Sequence, residues 1–375
     1  MNDLYHAFCR LMQIALAFEG ESLDFKYKLS DSDWSKIHSE CLRQLMVAVV
    51  YRAVCRLPKE QRPPLDLMFQ WASEAETVKG QNEIINAEAA RLTQLFEAEG
   101  RKSAVLKGAA NARLYPDAFM RQAGDIDLWV EGGRKSVFAL LKKMNFELDE
   151  KDKNTYHHIH VLHAGKASVE LHFRPSSGTF NPLANVRLQR YLNREILNTE
   201  RVPEGFFVPS IKFALVMQLA HIERHFVSGG IGFKQFLDYF ILLQYSTAED
   251  RREVTSKISE FGLKRVARAV MWVLGEVLRL DAEKMLAAPD ERLGRKMLEV
   301  IYEGGNFGFY RADIEDMRKM NFFVRWLKNR WRCIRLFPFM PMEVLWCQID
   351  YWKNLLNTIP FRIKHRRLSI WDLYN

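Results

Sequence analysis

Between residues 103 and 173 short apolar runs alternate with polar residues at every second position, while on either side of that window apolar residues recur at three and four. Period two marks half-buried strands, and the three-four period marks helices packed by one face. The chain is therefore expected to be α+β, a small mixed β-sheet core flanked by helical N- and C-terminal regions. Upstream, Leu11-Met12-x-x-Ala15-Leu16 and Leu42-x-x-Leu45-Met46-x-x-Val49-Val50 carry the helical pattern, and a long helix should run from near Leu67 to Ala98 and stop at Gly100. In the window, Ser103-Ala104-Val105-Leu106 reads as a strand, and Lys107-Gly108 opens a helical stretch to Tyr115 that Pro116 ends. Ile126–Val130 reads as a strand, Gly132-Gly133 as a turn and Arg134–Met144 as a helix. Tyr156–His163 and Ala167–Phe173 read as two strands joined through Ala164-Gly165-Lys166. From Pro209 onward the pattern is helical again. These boundaries divide the chain into a helical region 1–98, an α/β core 99–200 and a helical region 201–375.

Apolar residues at 48% and charged residues at 27% are ordinary globular values and exclude a disordered, collagen-like or low-complexity chain. The net charge of +9 is unevenly spread. Residues 318–367 hold twelve Lys and Arg against Glu343 and Asp350 alone, which leaves the remainder near neutral. Trp326, Trp331, Trp346 and Trp352 interleave with those charges. Such a mixture suits a phosphate-rich strand or an anionic surface. It equally suits a helical layer whose aromatics are core and whose Arg and Lys stems cover it, and the helical spacing favours that reading. Nucleic-acid contact through 318–367 stays open. The five cysteines contain no C-x-x-C pair, which argues against a disulfide framework or structural zinc module and fits a reducing cytoplasm. The segment Met1–His6 lacks the basic-then-apolar order of a signal peptide, and no uninterrupted apolar run approaches the ~18 residues of a membrane span. A cytoplasmic location is expected.

The stretch richest in chemistry is Leu106-Lys107-Gly108-Ala109 followed by Arg121-Gln122-Ala123-Gly124-Asp125-Ile126-Asp127-Leu128. Alternation puts Asp125 and Asp127 on one strand face, with Ile126 and Leu128 turned into the core. Two close carboxylates repel, and a divalent cation such as Mg2+ or Mn2+ relieves that repulsion. In Ser168-Val169-Glu170-Leu171-His172-Phe173 the residues Glu170 and His172 share a face. If this strand lies beside the first, Glu170 joins the aspartates in a metal site. Lys107-Gly108 sits where a strand turns into a helix, so backbone amides and the helix N-terminus favour phosphate there. Lys107 and Arg121 supply positive charge for a triphosphate. A solvated edge strand with two exposed acids is the plain alternative for the aspartate pair.

The ordered set resembles the nucleotidyltransferase superfamily related to DNA polymerase β and kanamycin nucleotidyltransferase. More narrowly, Leu106-Lys107-Gly108, Leu114-Tyr115-Pro116, Arg121, Gly124-Asp125-Ile126-Asp127-Leu128 and Val169-Glu170-Leu171-His172 are similar to the uncharacterised nucleotidyltransferase family of bacteria, over about residues 95–245. The resemblance implies Asp125 and Asp127 as magnesium ligands, Glu170 as a third ligand or the base for the attacking hydroxyl, and Gly108 as the phosphate-binding turn. It also implies that the helix near His221–Leu243 closes the nucleotide site, with Lys234 or Asp238 facing it. The superfamily's usual Gly-Ser or Gly-Gly is Gly108-Ala109 here, and the gap from Gly108 to Asp125 is longer than in many members.

His157, His158, His160, His163 and His172 crowd into sixteen positions. Alternation assigns His158 and His160 to one face and His157 and His163 to the other, which favours strand-face or pocket-lining roles over a dedicated zinc site. His172, in phase with Glu170, is the best placed for the pocket. His221 and His225 share a helix face but lack the metalloprotease pattern. The expected function is Mg2+-dependent transfer of a nucleoside monophosphate from a nucleoside triphosphate (ATP among them) to an acceptor, whether RNA, a small molecule or a protein. The alternative is a catalytically degenerate module that binds RNA or another anionic partner.

Overall fold

A computed structural model describes residues 3–17, 24–149, 155–162, 165–308, 310 and 321–364, with backbone alone at 322, 323, 325 and 357–364. His163, Ala164, Arg318, Lys319, Arg366 and Arg367 lie outside the described residues.

Helices Asp3–Leu16, Asp31–Arg43 and Val47–Arg56 open the chain. Ser30 starts the second with a capping box: its hydroxyl accepts from the Asp33 amide at 3.2 Å while the Asp33 carboxylate accepts from the Ser30 amide at 3.2 Å. The long helix Leu65–Ala98 begins behind Pro63-Pro64 and ends before Gly100, whose φ of +68° strains any residue with a Cβ. Its 34 residues serve two cores. Trp71, Ala75 and Val78 enter the helical core, and Ile85, Ala89, Leu92 and Phe96 pack against the sheet.

That sheet contains β1 (Ser103–Val105), β2 (Ile126–Val130), β3 (Glu147–Leu148), β4 (His158–Leu162) and β5 (Val169–His172), in the order β1-β2-β5-β4-β3. Only β2 and β5 pair in parallel; the other neighbours are antiparallel. A parallel pair needs a crossover, and the helix Gly133–Lys143 begins it. Ile126, Leu128, Val130, Ile159, Val161, Val169 and Leu171 form one apolar face, covered by Val137, Leu140 and Leu141 of that helix and by Leu92 and Phe96. Period two sends Asp127, Trp129, His158, His160, Glu170 and His172 to the other side.

Beyond the sheet come helix Pro182–Glu195, the small antiparallel pair β6 (Thr199–Arg201) and β7 (Phe207–Pro209), and helices Ile211–Ser228, Phe233–Tyr245, Ala248–Lys257, Lys264–Leu278 and Glu291–Gly304. The helices share a core with the N-terminal helices, while Val208 of β7 packs with the sheet. Gln44 stitches the two ends together, its Nε2 donating to the Ile301 carbonyl at 3.0 Å and its Oε1 accepting from the Phe233 amide at 2.9 Å. Helices Phe322–Ile334 and Pro341–Lys364 pair antiparallel, with Trp326 Nε1 donating to Tyr351 Oη at 2.6 Å and the Cys333 and Cys347 sulfurs 3.8 Å apart.

The expected α+β plan holds, with two local corrections. The helical stretch expected to reach Tyr115 is one turn, Ala109–Ala112. Strands β3, β6 and β7 have only two or three residues, too few for a repeat to show. Among the described residues no helix is long and apolar enough to cross a membrane.

Candidate active site

Asp125 immediately precedes β2 and Asp127 is its second residue, so both project from the polar side. The parallel register sets Asp127 opposite Glu170. One carboxylate oxygen from each of Asp125, Asp127 and Glu170 lies within 4.8 Å of the others. Residues separated by more than forty positions thus converge through a single strand pairing.

Asp127 is the centre of the charge arrangement and only 1% exposed. Lys107 Nζ stands 2.8 Å from Oδ2, and His172 Nε2 stands 3.1 Å from Oδ1. Burial alone pushes the Asp127 carboxyl up, but Lys107 and His172 outweigh it and hold it well below the usual carboxylate range. Among the described residues Asp125 makes no ion pair and instead meets the Glu170 carboxyl. Burial and the charge of Asp127 push its carboxyl up to about 6, with Lys107 opposing. Burial also works against the Glu170 carboxylate, yet His172, His158 and Lys107 bring it down to about 2. Lys107 is held protonated: burial disfavours its charge, and Asp127 and Asp125 more than compensate.

Gly108 turns the chain from β1 into the one-turn helix with φ +68°, the left-handed region that favours glycine. A Cβ added there would stand 3.5 Å from the Asp125 carbonyl oxygen, so this turn runs beside the acids. The four-residue helix behind it offers little of the N-terminal potential expected of a longer one. Asn111 and Gln218 exchange two amide hydrogen bonds of 2.9 Å, tying the turn to helix Ile211–Ser228.

Arg121 is not a free cation. Its Nε and Nη2 each donate to Asp238 at 2.7 Å, and Tyr115 Oη donates to the same carboxylate at 2.7 Å. All three side chains are buried, and Asp238 is held below the usual range because Arg121 outweighs its desolvation. Asn82 of the long helix holds this loop by donating to the carbonyls of Phe119 and Arg121 at 2.7 and 2.8 Å. Lys234, in the first turn of Phe233–Tyr245, lies next to Gly124, where an added Cβ would come 3.7 Å from Nζ. Among the described residues Lys234 Nζ makes no ion pair or hydrogen bond. Burial and the charges of Arg121 and Lys107 bring its ammonium down to about 7.

A cavity of about 60 Å³ opens over this arrangement. Lys107, Gly108, Arg121, Asp125, Asp127 and Lys234 line it, and Gln218, His221, Gln235, Asp238 and Phe307 are also in the wall. Glu170 and His172 are not in that lining, and His172, expected in the pocket, lies buried behind Asp127 as its hydrogen-bond partner. Sequence reasoning missed Gln218, which shares a helix face with His221, and Phe307, whose φ of +51° is unusual outside glycine. The Gly304-Gly305 and Gly308 flanks of Phe307 were the available signal.

His160 Nε2 approaches Glu170 at 3.2 Å, His172 Nε2 at 3.6 Å and His158 Nδ1 at 3.8 Å. His158, Glu170 and His172 therefore form a second group whose ligand atoms lie within 4.8 Å, sharing Glu170 with the aspartates. His157 does not occupy the opposite face. Strand β4 begins only at His158, so alternation does not reach His157, and its ring packs on His158 and His172 with centroids 4.2 and 5.3 Å away.

The model of the uncharacterised nucleotidyltransferase family matches residues 30–279, two thirds of the chain. The chain belongs to that family. The matched stretch holds every site residue named above except Phe307, and it ends before the C-terminal helix pair. Among solved structures, an antigenic nucleotidyltransferase-like protein from Paracoccidioides brasiliensis is similar over 53% of this chain and 93% of its own, at 16% identity and a TM-score of 0.32. That likeness is too remote to bear on the site. No curated protein matches the chain. Membership in the family implies a transferase with a nucleotide substrate, and the three acids are positioned to hold a metal ion.

Proposed function

We propose that this nucleotidyltransferase moves a nucleoside monophosphate from a nucleoside triphosphate to a hydroxyl or phosphate of its acceptor, in a reaction that needs Mg2+ or Mn2+. The observation that carries this reading is the convergence of Asp125, Asp127 and Glu170 across the β2–β5 pairing. An all-oxygen donor set suits a hard divalent cation. Burial first, and then the charge of Asp127, raise the Asp125 carboxyl, and a divalent cation held there would favour its ionised form. When bound, the ion supplies neutralisation of the phosphates and of charge on the attacking and leaving oxygens.

Asp125 and Asp127 would hold it and Glu170 would complete the set. At about 2, Glu170 is a weak proton acceptor near neutrality, which favours the ligand role over the base. His172 orients Asp127, Lys107 brings positive charge to the triphosphate, and the Gly108 turn lets backbone approach it. Arg121 acts through Asp238, setting the helix that carries Lys234. Catalysis is then positioning and charge neutralisation, with pyrophosphate leaving. The cavity of about 60 Å³ is short of the ~300–1,000 Å³ of small-molecule pockets, so only the phosphate tail enters it in this arrangement. The free cysteines accord with action in the cytoplasm. A module that only bound an anionic partner would gain nothing from three acids beside it.

The test offers each labelled triphosphate with Mg2+ or Mn2+ to an RNA pool, a small-molecule extract and a protein extract. Label should pass to one acceptor class and stop on chelation. Absence of transfer with every triphosphate, or transfer indifferent to chelator, removes the proposal. Lys234 gives a finer check. Its charge is lost as pH rises through about 7, so metal-free pyrophosphate binding should weaken between pH about 6 and about 8. In Lys234→Met calorimetry should show weaker binding with that pH step flattened.

A further inference from the structure

The last two helices carry a feature that the site does not use. On Phe322–Ile334 the large apolar side chains Val324, Leu327, Trp331 and Ile334 are exposed. On Pro341–Lys364 the exposed set is Met342, Leu345, Ile349, Trp352 and Leu356. The spacings are three, four and three on the first helix, and three, four, three and four on the second. Each set is therefore one continuous stripe. Helical spacing sets each stripe opposite the buried residues of its helix, Cys333 on the first and Val344 and Cys347 on the second, which join the helical core together with Leu336 and Met340 of the connection. Trp331 and Leu356 are both 61% exposed, well beyond incidental surface apolarity.

Charge decides what covers this face. The only two acids of the described segment 321–364 are both paired: Glu343 with Arg265 at 3.5 Å, and the partly exposed Asp350 with Arg224 at 3.3 Å. Arg330 lies over the Tyr351 ring at 3.8 Å, and Arg332 donates to the Ser228 carbonyl at 2.6 Å. Of the charged side chains on this described segment, Lys328, Arg335 and Lys353 remain exposed, and Arg335 shares a small surface recess with the exposed Glu303.

We infer that this helix pair seats the protein on an anionic lipid surface. Apolar stripes with interfacial tryptophans enter the headgroup boundary, and the lysines and arginine meet lipid phosphates. No described helix is long and apolar enough to cross a membrane, so the pair lies on the surface and does not span it. A second copy is disfavoured because its matching face would bring like charges together. RNA is disfavoured because Val324, Leu327, Ile334, Leu345, Ile349 and Leu356 neither stack on bases nor neutralise phosphate.

The full chain is sedimented with vesicles of phosphatidylglycerol and phosphatidylcholine in equal parts, and with phosphatidylcholine alone. The anionic vesicles should bind it, with a blue shift of tryptophan fluorescence, and plain phosphatidylcholine should bind about tenfold or more weakly. Leu345→Glu with Ile349→Glu, in a variant whose thermal melt is checked against the parent, should lower anionic-vesicle binding about tenfold or more. Lys328→Glu with Lys353→Glu should remove the preference between vesicles. The inference is overturned by no binding to anionic vesicles, or by binding that the stripe variant leaves intact. It is equally overturned if the stripe variant abolishes a dimer or an RNA complex while vesicles never bind. Transfer activity in solution has no part in this outcome, so it stands or falls apart from the proposed reaction.

Discussion

Asp127→Asn is expected to lower metal-dependent transfer by about a thousandfold or more while leaving the chain folded. The side chain keeps its shape, and its remaining oxygen can still accept from Lys107 or His172. It loses the charge that a divalent cation requires. The buried aspartate is also the main local neighbour raising Asp125, so removing its charge should bring the Asp125 carboxyl down from about 6, with burial still opposing the fall. Label transfer, Mn2+ binding by calorimetry and a thermal melt together separate lost chemistry from lost fold. A folded variant that keeps transfer activity near that of the parent chain, or binds Mn2+ as tightly, would refute the assignment of Asp127.

The largest effect on stability is expected from Asp238→Ala. Arg121 is 5% exposed, and its Nε and Nη2 rest on Asp238 at 2.7 Å each. Removing the carboxylate leaves a buried guanidinium without a counter-charge and the Tyr115 hydroxyl without its acceptor. Losing one partner of such a buried pair costs about 3–5 kcal/mol, readable as a lower urea midpoint at unchanged slope. Arg121→Met with Asp238→Leu should recover much of that loss, because neither charge is then stranded. A loss under about 1 kcal/mol for the single variant would show that water reaches Arg121 and that the pair does not lock the loop.

The two acids at the start of β2 were legible because alternation over a few residues is a local property. So were the Gly108 turn and the apolar face of the sheet. Glu170 was legible only conditionally, since its place beside Asp127 depends on β5 lying parallel to β2. The stripe of exposed side chains on the last helices shows a different limit. Helical spacing correctly implied that the aromatic residues lie on helices, yet Trp326 and Trp346 are partly buried while Trp331 and Trp352 face outward. Spacing defines a face and does not say what covers it. His157 failed for a related reason: the period-two rule holds within a strand, and the strand starts one residue later.

Arg121 marks the sharpest division. Its sequence neighbourhood, a basic residue four positions before an acid pair, suits a phosphate ligand, and nothing local points to a carboxylate 117 residues away. What the sequence alone determined was the kind of the longer elements, the acid pair's common face and the family, since periodicity, turn stereochemistry and motif order act over a few residues. Which charges neutralise one another, which side chains wall the small cavity and which helix faces stay bare were decided by tertiary packing. Coulombic partners and solvent exposure depend on distance through space, and packing alone brings remote segments to those distances.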